Sequence, residues 1–111
     1  MTVQSTPLVD SKALETVQTT QYTCAVLRAS IDKVTATNTT AGALTVSVNL
    51  VPSGGTADAT NLLTKAASIA AGGSYGFPEL VGHTLKTGGF ISAIASGAGI
   101  AFRVSGRETT T

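Results

Sequence analysis

Ala43-Leu44-Thr45-Val46-Ser47-Val48-Asn49-Leu50, running into Val51-Pro52-Ser53-Gly54-Gly55-Thr56, decides the fold class of this chain. Successive side chains on a strand point to opposite faces, so Leu44, Val46, Val48 and Leu50 share one side while Thr45, Ser47 and Asn49 share the other. The Pro-Ser-Gly-Gly sequence supplies a fixed φ and then two residues free of Cβ, which ends the strand in a turn. One dry face and one wet face are the mark of an antiparallel sheet.

The same pattern recurs on both sides of this segment. Ile100, Phe102 and Val104 alternate with Ala101, Arg103 and Ser105 near the C-terminus. Tyr22 to Leu27 contains the short apolar run Cys24–Leu27, and Ile31–Thr37 is a Thr/Val-rich strand. Ile31 and Val34 have opposite parity, which requires a bulge near Asp32-Lys33 or a change of facing. Asn38 to Gly42 reads as a hairpin-type connection. Asn61–Ile69 fits either a strand or a helical turn; strand is chosen because Ala70-Ala71-Gly72-Gly73 closes it as a turn between strand neighbours.

Ser74–Phe77 is a short strand ended by Pro78, Glu79–Leu85 is a crossing loop with room for a single helical turn within it, and Phe90–Ser96 is another strand. Strand starts spaced by roughly 8–15 residues, with no helical pattern between them, argue against βαβ units. The prediction is an all-β antiparallel β-sandwich of about seven or eight short strands, Ig-like or jelly-roll-like. Residues 1–20 are polar, with Pro7 early and Leu14 and Val17 as later apolar anchors, and read as an extended N-terminal arm with a short strand near Ala13–Val17. The domain then spans 21–108, and 109–111 is a C-terminal tail.

Composition bounds the function. A chain of 111 residues is one domain. Its apolar residues are mainly Ala and Val, aromatics are 5% and Trp is absent, so the core is thin and contact with neighbouring chains is expected to contribute stability. Charged residues are 12% and the net charge is +1, with the basic residues scattered instead of forming the stripe of a nucleic-acid binder. A near-neutral, charge-poor surface suits life within an assembly. There is no apolar run of the ~20 residues that span a bilayer. The N-terminus lacks the features of a secretory signal, so a soluble product made in a cytoplasm is expected.

Candidate chemistry is sparse. Cys24 is the single cysteine, which excludes an intrachain disulfide and a Cys-rich zinc site; it reads as a buried thiol. His83 is the single histidine and reads as a loop residue bonded to backbone, with no nucleophile context beside it. Asp10, Glu15, Asp32, Asp58, Glu79 and Glu108 have no calcium-loop spacing. Ser53-Gly54-Gly55-Thr56 lacks the Lys and helix of a phosphate-binding loop. Tyr22, Tyr75, Phe77, Phe90 and Phe102 read as core, in preference to a stacking platform. Glu79 is expected to make a specific backbone contact in the crossing loop. No catalytic, cofactor-binding or metal residues are assigned, and no enzyme activity is expected.

Val46-Ser47-Val48-Asn49-Leu50-Val51-Pro52-Ser53-Gly54-Gly55 and Pro78-Glu79-Leu80-Val81-Gly82, together with Ser68 to Gly72 and Gly89-Phe90-Ile91, carry a resemblance. Over about residues 22–108 the chain resembles a group of short tailed-bacteriophage virion proteins. The resemblance implies a β-sandwich structural subunit without enzyme activity, located in the virion after synthesis in the host bacterial cytoplasm. It implies a capsid decoration or cement protein that binds the major capsid protein or other virion proteins, as a homo-oligomer and without nucleic acid or membrane. The alternatives are a head-to-tail (neck or collar) or tail/fibre-attachment protein, and a glycan-binding adhesin module. The motifs are structural, so no functional residues carry over.

Overall fold

The computed structural model describes residues 1–110 and contains nine strands: β1 (Thr2–Ala13), β2 (Thr19–Thr23), β3 (Arg28–Asn38), β4 (Leu44–Val51), β5 (Leu62–Ile69), β6 (Ser74–Tyr75), β7 (Thr84–Lys86), β8 (Phe90–Ala95) and β9 (Ile100–Thr110). They form two antiparallel sheets, one ordered β1-β9-β3-β6 with β7 also on β3, the other β2-β8-β4-β5. The first strand pairs with the last, the second with the second-last, β3 with β6 and β7, and β4 with β5. A long hairpin wrapped into two sheets in this way is a jelly roll, which selects between the two sandwich types that the sequence allows.

The alternation in β4 and β9 does what it predicts. Val46, Val48, Ile100, Phe102 and Val104 are all buried in the core between the sheets. Leu44 and Leu50 lie half-buried against it. Ile31 and Val34 are both buried because β3 carries its extra residue at Asp32: Ile31 pairs with Gly106 and Lys33 with Ser105. Opposite that bulge the backbones of β3 and β9 come so close that a Cβ on Gly106 would lie 2.1 Å from the carbonyl oxygen of Ser30, so only glycine fits.

Aromatic packing closes the core. Phe77 meets Tyr75 edge-on at 4.6 Å and Phe102 at 6.3 Å. Phe77 is fully buried at a φ of 45°, a region that a bulky residue avoids at about 1–3 kcal/mol. Burying a phenyl ring, at about 1.5–3 kcal/mol, offsets that strain. The turn at Phe77 also ends β6 after Tyr75, two residues short of the predicted strand.

Several other expectations are corrected. Most of the predicted arm is sheet: Thr2–Ala13 pairs with β9 from Thr2↔Thr110 to Ala13↔Ala101. Strand at Ala13–Val17 is absent, since β1 stops at Ala13 and the next strand begins at Thr19. Cys24–Leu27 is the connection between β2 and β3, and the crossing loop yields β7 at Thr84. Of the predicted tail, Thr109 and Thr110 belong to β9, with Thr109 buried; residue 111 lies outside the described residues. The β1–β9 ladder leaves no boundary at residue 20, because residues on both sides of it build one sandwich.

Candidate functional site

The acidic side chains, the only abundant source of acid–base chemistry here, lie apart and are each bonded within the chain. Asp10 pairs with Arg103 at 2.7 Å and Asp32 with Arg107 at 3.0 Å, both on the exposed face of the β1-β9-β3 sheet. Glu15 accepts from Lys12 at 2.7 Å and from Gln21 at 3.0 Å. These two donors hold its carboxyl down at about 2. Asp58 binds the hydroxyl and the N–H of Thr60, which lower its pKa. Glu108 accepts from the Tyr22 hydroxyl and so ties the two sheets together; burial and that bond raise the Tyr22 pKa.

Glu79 does more than make the expected backbone contact. Beside the backbone donor of its own residue, its carboxylate binds two hydroxyls, Thr64 of β5 and Tyr75 of β6 (2.8 Å). Burial pushes its pKa up, but the hydroxyl and backbone donors outweigh it and the net shift is down. The contact bridges the crossing loop to both sheets.

His83 is exposed in that loop, and its structural contacts are backbone ones: its carbonyl accepts from Ile31 N–H at 2.9 Å and its N–H donates to Leu80 O at 3.2 Å. Among the described residues the imidazole has no hydrogen bond to a hydroxyl or carboxylate. Nor do three or more His, Cys, Asp or Glu side chains gather as a metal set among those residues. Cys24 is buried, its thiol donating to Val26 O at 3.5 Å. The turn at Pro52–Gly55 is closed by Gly55 N–H to Pro52 O at 3.0 Å, with Gly54 at a φ of 80°; it is a turn and holds no ligand cradle.

An open groove of about 770 Å³ lies where the two sheets part, between the end of β4 and β7. Leu50, Leu63 and Leu85 give it apolar lining, and His83 and Lys86 add polar groups. Among the described residues that line it, none is both charged and buried, so the groove lacks the fixed polar group that normally orients a small ligand.

The outer faces of the sheets are unlike each other. On β4, Thr45 and Ser47 are half-exposed, but Asn49 is buried. Its amide donates to Asp58 O at 2.9 Å and to Asn61 Oδ1 at 2.7 Å, which draws the 52–61 loop across this sheet. Gln18 covers the neighbouring Ser92 through a 2.7 Å bond. Sequence parity placed Asn49 on the wet face; it could not show that the chain's own loop lies over it.

The strand edges differ as strongly. On β5, register shifts break the ladder, Lys65 is exposed, and Ala66 has a φ of 49° with its N–H donated to Ser47 Oγ at 2.8 Å. Strand β2 is five residues long with a shift between Thr20 and Tyr22. Strands β6 and β7 have two and three residues. Thr2–Pro7 of β1, by contrast, pairs one-for-one with Thr110–Ser105, and among the described residues its other side meets no strand.

No protein-family model matches the chain, and comparison with curated proteins finds no match. Among solved structures it is similar to one described by the words "Bacillus endospore appendages form a novel family of disulfide-linked pili". The two are 18% identical with a TM-score of 0.52, over 99% of this chain and 90% of that one. A likeness at this identity is a likeness of fold.

Proposed function

We propose that this chain is a structural subunit of a multi-copy protein particle, held in place by its sheet edges and faces and performing no catalysis. The observation that carries the reading is the contrast between a long strand edge left open on β1 and acidic groups each engaged in separate intrachain bonds. Exposed, regular strand edges are templates for another chain, and natural monomers blunt them. With the phage-like motifs at Val48–Gly55 and Pro78–Gly82, the particle is a tailed-phage virion and the station is the capsid surface, where the subunit decorates and cements the major capsid protein. The neck, tail and adhesin stations are the rivals within that setting.

A second reading, a filament subunit, is favoured by the similarity in fold to a protein described as forming pili. The disulfide linkage in that description has no ready counterpart in residues 1–111, where the one cysteine is buried.

Location and copy number decide between them. Particles purified from a producing host, analysed by quantitative mass spectrometry and reconstruction, are expected to carry on the order of hundreds of copies on the shell lattice. About six or twelve copies would move the protein to the neck or tail. Unbranched filaments of the purified chain would favour the second reading. Absence from every particle and filament fraction, with the protein remaining free, would sink both.

A further inference from the structure

We propose that the Thr2–Thr6 edge of β1 docks the same edge of a second copy, the two strands running antiparallel about Gln4. The proposal deepens the reading of the chain as an assembly subunit and rests on it for its setting.

Three observations carry it. First, Thr2–Pro7 is the one long stretch of sheet edge among the described residues that keeps a regular ladder; β1 itself becomes irregular after Pro7, with register shifts between Pro7 and Val9 and between Val9 and Lys12. Bulges and prolines are the devices that stop strand addition, so the template ends at Thr6. Second, Thr2-Val3-Gln4-Ser5-Thr6 carries no charged side chain, so two copies meet without like-charge repulsion. Val3, 55% exposed, gains cover.

Third, the edge that a second copy offers follows by elimination. Among the described residues, no other edge has equal regularity: β2 and β5 are interrupted, and β6 and β7 are too short. Within a second copy, the matching edge is therefore β1 again. Pairing like with like is isologous and closes at two copies. The two five-stranded sheets then become one continuous ten-stranded sheet, with Gln4 opposite Gln4 and each Val3 opposite the other copy's Ser5.

A ladder of five residues is small against a standard interface, so association is expected to depend on concentration. Light scattering and sedimentation across concentrations up to about 1 mM test it. The wild-type chain is expected to pass from one chain mass to two and no further. Val3→Glu with Ser5→Glu places acid opposite acid across the two-fold, yet within one chain sets Ser5→Glu beside Arg107, its partner on β9. This variant is expected to melt like the wild type and stay monomeric. Mixing it with Val3→Lys/Ser5→Lys should restore the dimer.

Gln4→Cys gives an independent reading, since it places two thiols across the axis. It should cross-link into dimers under mild oxidation while the wild type, whose Cys24 is buried, does not. A wild-type chain that stays monomeric at about 1 mM, or an oligomer that survives Val3→Glu/Ser5→Glu, would overturn the proposal. The second result leaves the assembly reading standing and moves the contact elsewhere.

Discussion

The two halves of β1 are built from the same kind of strand and put to opposite uses. From Leu8 to Ala13 the strand is irregular, with two register shifts, and anchored: Leu8 and Val9 are buried in the core, Asp10 pairs with Arg103, and Lys12 binds Glu15 and Gln21. From Thr2 to Pro7 it is regular and uncharged, with every residue but Thr6 exposed. The anchored half cannot accept a further strand, because its bulges and charges spoil the ladder. The open half adds little to the core but presents an unbroken line of backbone groups. One strand thus joins the fold at one end and offers the fold to a neighbour at the other.

Truncation should separate the halves most sharply. Val9→Ala removes two methyls from the core and is expected to cost about 1–3 kcal/mol in chemical denaturation. Val3→Ala, on the exposed half, should cost less than about 0.5 kcal/mol. Equal losses would show that the open half is packed as tightly as the anchored one.

A smaller effect belongs to the Glu15 junction between β1 and β2. Its folded carboxyl titrates near 2 against an ordinary value of 4.5, so its stabilisation is present above about 4.5 and is lost as the pH falls through about 2. The Lys12 and Glu15 side chains are 33% and 36% exposed, and solvent screening reduces the contribution to about 0.5–1 kcal/mol. Melting temperatures of wild type and Glu15→Gln should differ at pH 6 and converge toward pH 2. A constant gap would assign the effect to packing.

The open half was also the part hardest to read from sequence. Alternation exposes a strand when one face is buried, as at Val46 and Val48 or Phe102 and Val104. Even the Asp32 bulge was legible, from the parity of Ile31 and Val34. Thr2–Thr6 has no buried face, so periodicity had nothing to register and the segment read as an arm. Strand β7 was hidden by its brevity. The cover over Asn49 and the pairing of β1 with β9 depend on residues far apart in the chain, which a local pattern does not encode. In sequence the candidate edge reads only as part of an extended arm; its regularity, and the blunting of the other edges, come from register.

Amide hydrogen exchange at two protein concentrations tests the central claim most directly. The outward-facing amides of Thr2–Thr6 are expected to exchange freely in dilute solution and to slow as concentration rises, while those of β2 and β5 do not change. Identical exchange of Thr2–Thr6 at both concentrations, or new protection confined to β2 or β5, would contradict it.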